Sequence, residues 1–212
     1  MTKERAVILL NGPDFNRTEF MNEIGENIFI IAADGGIRHI SDMNIHIDIH
    51  AGDFDSCGQE DSVRVAEKIS FPPDKDVSDF SICLGIALDR GIKDVKVFGA
   101  LGGRADHFIS NYDTAVRFAE KGVRITFIGN SENIYFTGSS SVFDFPVGST
   151  VSVYSGAETI SNITLSGFKY RIENGELNRL VPVGLSNVVT DNKQSISFDR
   201  GVLAVIYNKT KI

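Results

Sequence analysis

Aspartates recur where predicted strands and helices of the first half of the chain begin or end. Five fall at such positions and a sixth lies in a glycine-rich loop; the six are Asp34, Asp53, Asp55, Asp76, Asp79 and Asp106. Carboxylates gathered at one edge of a sheet repel one another strongly unless a hard cation holds them together. The set therefore predicts a Mg²⁺ site. The competing interpretation is that aspartate is common in turns and at helix N-caps.

The segment GDFDS, residues 52–56, places two carboxylates on one side of an extended backbone. Residues i and i+2 of such a segment project to the same side, so Asp53 and Asp55 can reach one metal ion while Phe54 points the other way. Gly52 lets the backbone approach a ligand closely. We therefore predict that Asp53 and Asp55 are metal ligands.

The segment KDVSDF, residues 75–80, precedes the strongest predicted helix. Asp76 is the predicted N-cap, and Ser78 and Asp79 fall in the first turn, where negative charge suits the helix dipole. Lys75 follows a stiff Phe-Pro-Pro loop and is predicted to bind a phosphate group. The alternative is that Lys75 is a solvated surface lysine.

The segment GALGGRADH, residues 99–107, follows a predicted strand and precedes a predicted helix. This is the context in which a glycine-rich loop binds phosphate, because Gly99, Gly102 and Gly103 can offer backbone N–H groups. Arg104 adds a guanidinium that can donate two parallel hydrogen bonds to phosphate oxygens. A tight structural turn is the competing interpretation.

A zinc site on the strand IHIDIHA is a further alternative, because His46, Asp48 and His50 alternate with isoleucines. Three ligands so close on a single strand rarely converge on one tetrahedral ion. A polar strand face is therefore the preferred interpretation of these three residues.

Alternating strands and helices must position these groups. The first 130 residues contain the buried apolar runs AVILLNG, IFIIAADGG, DVKVFGALGG and RITFIGN, and helices are predicted in DSVRVAEKIS, VSDFSICLGIALDRG and HFISNYDTAVRFAEKG. This alternation predicts an α/β fold with a mostly parallel sheet flanked by helices. Such folds bind ligands at the carboxyl ends of their strands.

The pattern of apolar and polar residues changes after about residue 135. Apolar and polar residues alternate from there on, and turn signals interrupt them at residues 173–176 and 199–201. This pattern predicts an all-β sandwich. We therefore expect an α/β domain over residues 1–132 and a β-sandwich domain over residues 133–212, joined within GNSENIYFTGSS.

Composition excludes several classes of protein. The 212 residues are 42% hydrophobic and carry a formal charge of -7, with no basic stripe, so a nucleic-acid partner is not expected. No stretch approaches the ~20 apolar residues of a membrane span. The two cysteines, Cys57 and Cys83, form no disulfide framework. We expect a soluble, cytoplasmic protein without a membrane partner.

Taken together and in this order, AADGG, GDFDS, KDVSDF, GALGGRADH and GLSN resemble the motifs of the thiamin pyrophosphokinases. The resemblance implies an α/β nucleotide-binding domain joined to a β-sandwich thiamin-binding domain. It implies transfer of the pyrophosphoryl group of ATP to the hydroxyl of thiamin, which gives thiamin diphosphate and AMP and depends on Mg²⁺. It also implies a homodimer with thiamin bound at the subunit interface.

The resemblance further implies roles for individual residues. Asp79 joins Asp53 and Asp55 as a metal ligand. From its position beside Ser78 and Lys75, we also expect Asp79 to orient or deprotonate the thiamin alcohol. The catalytic set is Asp53, Asp55, Lys75 and Asp79. The set that binds nucleotide or thiamin is Asp34, Gly35, Ser78, Gly102, Gly103, Arg104, Asp106, His107, Ser186 and Asn187.

One departure from the family bears on thiamin binding. Eukaryotic members stack an indole on thiamin, and this chain has no Trp, so a Phe or Tyr must supply the stacking. Two other functions stay open: a pyrophosphokinase for another primary alcohol such as a hydroxymethylpterin, and a regulatory module that binds nucleotide or thiamin without turnover.

Overall fold

The computed structural model describes residues 3–54, 63–72 and 76–209. The chain forms two compact units, the first of residues 1–114 and 127–129 and the second of residues 115–126 and 130–212. The boundary expected at residue 132 stays a prediction. Within the described ranges, no helix is both long and apolar enough to cross a membrane.

The first unit is built on a parallel sheet. Its strands are β1 (Arg5–Leu9), β2 (Ile28–Ala33), β3 (His46–Gly52), β4 (Arg64–Ser70), β5 (Asp94–Phe98) and the end of β6 (Arg124–Ile128). The strand order is β6-β5-β1-β2-β3-β4, and the pairs from β5 to β4 are parallel. The predicted α/β fold is confirmed. The segments that follow β1, β2, β3 and β5 therefore emerge at one edge of the sheet.

Four helical segments accompany this sheet. They are α1 (Arg17–Glu23), a 3-10 helix (Asp34–Ile40), α2 (Asp79–Asp89) and α3 (Ala105–Ala119), of which α3 continues into the second unit. The apolar core of the first unit includes Phe20 and Phe98, whose rings meet edge to face with centroids 5.4 Å apart. A close-packed core of this kind holds the strand ends rigidly.

Helix α2 follows the sequence prediction with one correction. Asp76 is not its N-cap, because the helix begins at Asp79 and the side chain of Ser78 caps it. The Ser78 Oγ accepts a hydrogen bond from the Ser81 N–H at 3.2 Å, which satisfies one of the unpaired donors of the first turn. Gly91 lies just past the helix with a φ of 77°, a conformation that suits glycine and stops the helix.

The helix predicted over residues 61–70 is wrong. The described part of this segment forms β4, which pairs with β3 so that Val65 lies beside Ile47. Val65 and Ile69 are half-buried β-branched residues, and the other five residues of β4 are exposed. The open edge of β3 supplies hydrogen-bond partners for a strand, and this tertiary pairing outweighs the weak helix preference of residues 66–68.

The second unit contains two antiparallel sheets. Its strands are β7 (Glu132–Thr137), β8 (Ser141–Phe143), β9 (Thr150–Ser155), β10 (Ile160–Ser166), β11 (Ile172–Leu177), β12 (Asn187–Val188), β13 (Gln194–Ser197) and β14 (Leu203–Asn208). One sheet has the order β11-β10-β13-β8 and the other runs β12-β9-β14-β7. Apolar residues of both sheets share one buried core. The predicted β-sandwich is confirmed.

The two turn signals in this unit have different outcomes. Residues 199–201 form the bend between β13 and β14, as predicted. The turn predicted at residues 173–176 is wrong, because these residues lie inside β11. Asn174 has a φ of 46° there, and the pairing of β11 with β10 shifts register beside it. The Asn-Gly pair thus accommodates an irregularity within the strand rather than a chain reversal.

Candidate active site

A cavity of about 500 Å³ opens in the first unit, where the segments after β1, β2 and β5 meet the starts of α2 and α3. Seven of the predicted site residues line it: Asp34, Ser78, Asp79, Gly102, Gly103, Arg104 and His107. The cavity lies at the carboxyl edge of the parallel strands, which is where α/β folds bind nucleotides. The tertiary structure therefore brings together residues from three of the segments singled out in the sequence.

Backbone contacts between neighbouring strand ends shape the floor of the cavity. The Leu10 N–H donates to the Phe98 carbonyl at 2.8 Å, and the Gly12 N–H donates to the Gly99 carbonyl at 2.9 Å. Gly99 has a φ of 70°, and a Cβ there would collide with the Leu10 carbonyl oxygen. Gly99 is therefore required by the close approach of two backbone segments.

Gly102 and Gly103 form the exposed rim of the same loop. Their φ values are 74° and 72°, so both residues are in the left-handed region that side chains disfavour. Both line the cavity directly ahead of α3, which begins at Ala105. Backbone N–H groups at a helix start attract anions.

Asp34 and Asp79 supply the carboxylates of the cavity. Asp34 is the first residue of the 3-10 helix and is half-buried with a φ of 43°. Asp79 is the first residue of α2, next to the capping Ser78. The predicted site residue Gly35 is buried against the Asn11 side chain, so it packs behind Asp34.

The segment GDFDS is only partly described. Gly52 contacts Asp34, and the half-buried Asp53 follows the end of β3, but Asp53 is not among the residues that line the cavity. Asp55 and Lys75 lie outside the described residues. Within the part of the chain that the structure describes, no three His, Cys, Asp or Glu residues form a metal-binding group.

Arg104 is paired with Asp106 at the mouth of the cavity. Its Nη2 and Nε donate to the two carboxylate oxygens at 2.6 and 3.1 Å, and the Asp106 Oδ1 also accepts from the His107 N–H at 2.9 Å. The Arg104 hydrogen bond, more than the other contacts, holds the pKa of Asp106 below its ordinary value. Asp106 itself does not line the cavity. The guanidinium must exchange this carboxylate for a phosphate if it binds one.

Three polar lining residues were missed in the sequence. Asn11 follows β1, and Ser110 and Asn111 lie on α3. The Asn111 Nδ2 donates to the Ala100 carbonyl at 3.2 Å, which links α3 to the glycine-rich loop. Two signals were available: Asn11 ends the apolar run of β1, and Ser110 and Asn111 are three and four residues after His107, on the same helix face.

Ser186 and Asn187 lie in the second unit and differ in exposure. Ser186 is exposed with a φ of 54°, whereas Asn187 is only 2% exposed. The Asn187 Oδ1 accepts from the Tyr170 N–H at 2.9 Å, and its Nδ2 donates to the Tyr170 carbonyl at 2.6 Å. The side chain of Asn187 therefore holds the backbone of Tyr170.

The zinc alternative on β3 is not supported by the contacts of its residues. Asp48 pairs with Lys3 at 2.5 Å and accepts a hydrogen bond from the Ile30 N–H at 2.8 Å. The His50 Nε2 lies 2.9 Å from the Asp34 carbonyl oxygen. These two side chains are therefore engaged with neighbouring segments of the first unit.

Two family models and two curated proteins match this chain. Residues 20–127 match the family model "Thiamin pyrophosphokinase, catalytic domain", and residues 143–203 match "Thiamin pyrophosphokinase, vitamin B1 binding domain". The chain is 26% identical over 206 residues to the thiamine pyrophosphokinase of Bacillus subtilis, which covers 94% of this chain and 96% of that protein. It is 26% identical over 178 residues to thiamin pyrophosphokinase 1 of Caenorhabditis elegans, covering 77% and 72% respectively.

The fold agrees as well. The crystal structure of the Bacillus subtilis thiamine pyrophosphokinase matches with a TM-score of 0.82 at 25% identity, over 96% of this chain and 98% of that chain. Both domains of the family are present in the order expected. The chain therefore belongs to the thiamin pyrophosphokinase family.

Proposed function

We propose that this chain is an enzyme that transfers the pyrophosphoryl group of ATP to thiamin and releases AMP. The observation that carries the proposal is the cavity where Asp34 and Asp79 lie together with the Gly102–Gly103 loop and Arg104. Such a site offers both anion-binding donors and carboxylates, which is what binding and transfer of a polyphosphate require. The matched vitamin B1 binding domain favours thiamin over other primary alcohols.

In the proposed reaction, the thiamin hydroxyl oxygen forms a bond to the β-phosphorus of ATP, and the bond from that phosphorus to the oxygen of AMP breaks. The chain contributes mainly by holding these atoms in line. The Gly102 and Gly103 N–H groups and Arg104 are proposed to bind phosphate oxygens. Asp79 is proposed to orient the alcohol and accept its proton, because Asp79 lies on the cavity at a helix start.

The donor set of the cavity fits a bound Mg²⁺. Two carboxylates, of Asp34 and Asp79, and the Ser78 hydroxyl are hard oxygen ligands, and Mg²⁺ is commonly held by one or two carboxylates together with substrate phosphates. We propose that Asp53 and Asp55 complete this set. When bound, the ion would neutralise phosphate charge that the aspartates would otherwise repel.

The decisive test is incubation of the purified chain with thiamin, ATP and Mg²⁺, followed by separation of the products. AMP and thiamin diphosphate in equal amounts are expected. Product from a hydroxymethylpterin but not from thiamin would favour the other pyrophosphokinase. Binding of thiamin or nucleotide without product would favour the regulatory module.

The metal assignment has its own test. Asp53→Ala and Asp55→Ala are expected to abolish Mg²⁺-dependent turnover while circular dichroism shows an intact fold. An unfolded variant would instead indicate that the aspartate has a structural role in its turn.

Tyr170 is proposed as the aromatic residue that stacks on thiamin. Its side chain is 58% exposed, while the buried Asn187 fixes its backbone on both sides. In this proposal Ser186 contacts thiamin and Asn187 positions Tyr170. Tyr170→Leu should raise KM for thiamin about tenfold, because base–aromatic stacking contributes about 1–3 kcal/mol, whereas Tyr170→Phe should not. KM for ATP is the control.

A homodimer with thiamin at the subunit interface is also proposed. The second unit exposes four apolar side chains within a few residues: Leu180 at 88%, Val181 at 57%, Val183 at 62% and Leu185 at 56%. A cluster of this kind is typical of an interface. Sedimentation should show a dimer that Leu180→Glu weakens. A cytoplasmic location is proposed as well, because the 212 residues include only two cysteines, too few for a disulfide framework.

A further inference from the structure

His50 is a buried histidine that contacts both acidic segments next to the cavity. Its side chain is 2% exposed, and it lies on β3 two residues before Gly52. Its Nε2 lies 2.9 Å from the backbone carbonyl oxygen of Asp34. A carbonyl oxygen can only accept, so the Nε2 must carry the hydrogen and donate it.

The same imidazole also packs against Phe54. The two rings meet edge to face, with centroids 4.8 Å apart and planes 75° apart. Phe54 stands between Asp53 and Asp55 and has a φ of 60°, so the extended backbone that the sequence predicted for GDFDS is interrupted at this residue. The buried His50 ring therefore contacts both Asp34, the first residue of the 3-10 helix, and Phe54, the central residue of GDFDS.

Both contacted residues have unusual backbone conformations. Asp34 has a φ of 43° and Phe54 a φ of 60°, and neither is a glycine. Side chains disfavour this left-handed region, so such residues keep the conformation only where their surroundings hold it. The His50 imidazole supplies two such constraints: it donates a hydrogen bond to the Asp34 carbonyl, and its ring packs against Phe54.

We propose that His50 is a positioning residue that fixes where the carboxylates of Asp34 and Asp53 point. The inference rests on the proposed function, because it assigns those carboxylates to the binding of nucleotide and metal. His50 itself does not line the cavity, so it acts through Asp34 and Phe54. The competing role for His50 is merely to fill space in the core, as an apolar residue of similar size would do.

If His50 positions the carboxylates, activity depends on a hydrogen-bond donor at position 50; if His50 only fills space, it does not. His50→Leu fills a similar volume without a donor, and we expect kcat/KM to fall about 10- to 100-fold, as for other residues that orient ligands from behind. His50→Gln keeps an N–H group at the end of its side chain and should recover most of this loss. His46→Leu, on the same strand but exposed, is the matched control and should behave as the unchanged chain.

A measurement on the unchanged protein keeps the proposal testable if a variant fails to fold. Long-range ¹⁵N–¹H correlation spectra report which imidazole nitrogen carries hydrogen, and His50 should show a protonated Nε2. Full activity of His50→Leu, no advantage of His50→Gln over His50→Leu, or an unprotonated Nε2 would each overturn the proposal. Failure of the proposed function would appear differently, as absence of AMP and thiamin diphosphate with the unchanged chain.

Discussion

A methyl group on Gly52 would lie 3.0 Å from the Cα of Asp34 and 3.2 Å from its backbone nitrogen. The end of β3 and the start of the 3-10 helix are therefore closely packed, and a side chain at residue 52 would have to push Asp34 away by a few tenths of an ångström. This contact joins the two aspartate segments that lie apart in the sequence.

Gly52→Ala should weaken both the fold and the site. The opposing atoms belong to backbone, which cannot rotate away, so we expect a loss of about 1–3 kcal/mol in the free energy of unfolding. Displacement of Asp34 should also lower kcat about 10- to 100-fold. Urea unfolding and steady-state kinetics measure the two effects. Gly25→Ala is the control, because a methyl group there meets nothing within 4 Å.

Asp79→Asn should remove activity without unfolding α2. The carboxylate interacts with the helix dipole, which contributes only about 0.3–1 kcal/mol, whereas its role in proton transfer contributes about 100-fold or more to kcat. Turnover and thermal unfolding of the same sample separate the two. Asp89→Asn, at the other end of α2, is the control. Near-normal turnover with an unchanged pH dependence would contradict the assigned role.

Arg104→Ala should raise KM for ATP about tenfold or more, and Arg104→Lys should not restore it, because lysine lacks the planar pair of donors. Stability should hardly change, since both partners of the Arg104–Asp106 pair are exposed. The exposed pair of Arg17 with Asp42 is chemically matched, and Arg17 does not line the cavity. Arg17→Ala should therefore leave KM unaffected.

Arg104→Ala should also raise the pKa of Asp106 towards that of an ordinary aspartate, because the Arg104 hydrogen bond is the main cause of the lowered pKa. A lowered pKa in the folded chain means that the pair persists above the ordinary aspartate pKa and is lost as the pH falls through the lowered value. NMR titration of the Asp106 carboxyl measures this shift. An unchanged pKa in Arg104→Ala would contradict the assigned cause.

His39 should make stability depend on pH. Burial lowers its pKa below 6.5, opposed in part by the carbonyls of Gly12 and Leu10, and its ring stacks on Phe15 at 4.5 Å. The unfolded chain then binds more protons below pH 6.5, so stability is complete above that pH and falls as the pH drops. His39→Phe keeps the stacking but cannot titrate. Urea unfolding at pH 7.5 and 5.5 should show a smaller loss for the variant, and equal losses would contradict this prediction.

Local sequence determined most of the strands and helices and some of their ends. The apolar runs of β1 and β2 were recognisable because strands buried on both faces need continuous apolar residues. The end of α2 at Gly91 was recognisable because a left-handed residue stops a helix there. The motifs were sufficient to indicate the family, since their order along the chain is independent of how they pack.

Tertiary pairing decided what local preference left open. Residues 64–70 carry a mixed preference, and the free edge of β3 makes them a strand. Asn174–Gly175 carries a turn signal, and pairing of β11 with β10 keeps it inside a strand. In both segments hydrogen bonds to a distant partner outweigh preferences that extend over only a few residues.

The candidate site divides in the same way. The residue types of Asp34, Asp79, Arg104 and the glycine loop were evident from sequence, because carboxylates, a guanidinium and glycines at successive strand ends together indicate a phosphate site. Only the folded chain shows that Asp34 and Asp79 share a cavity, and that His50 lies behind Asp34. Such contacts join residues from different strands, and side-chain period within one strand cannot reveal them.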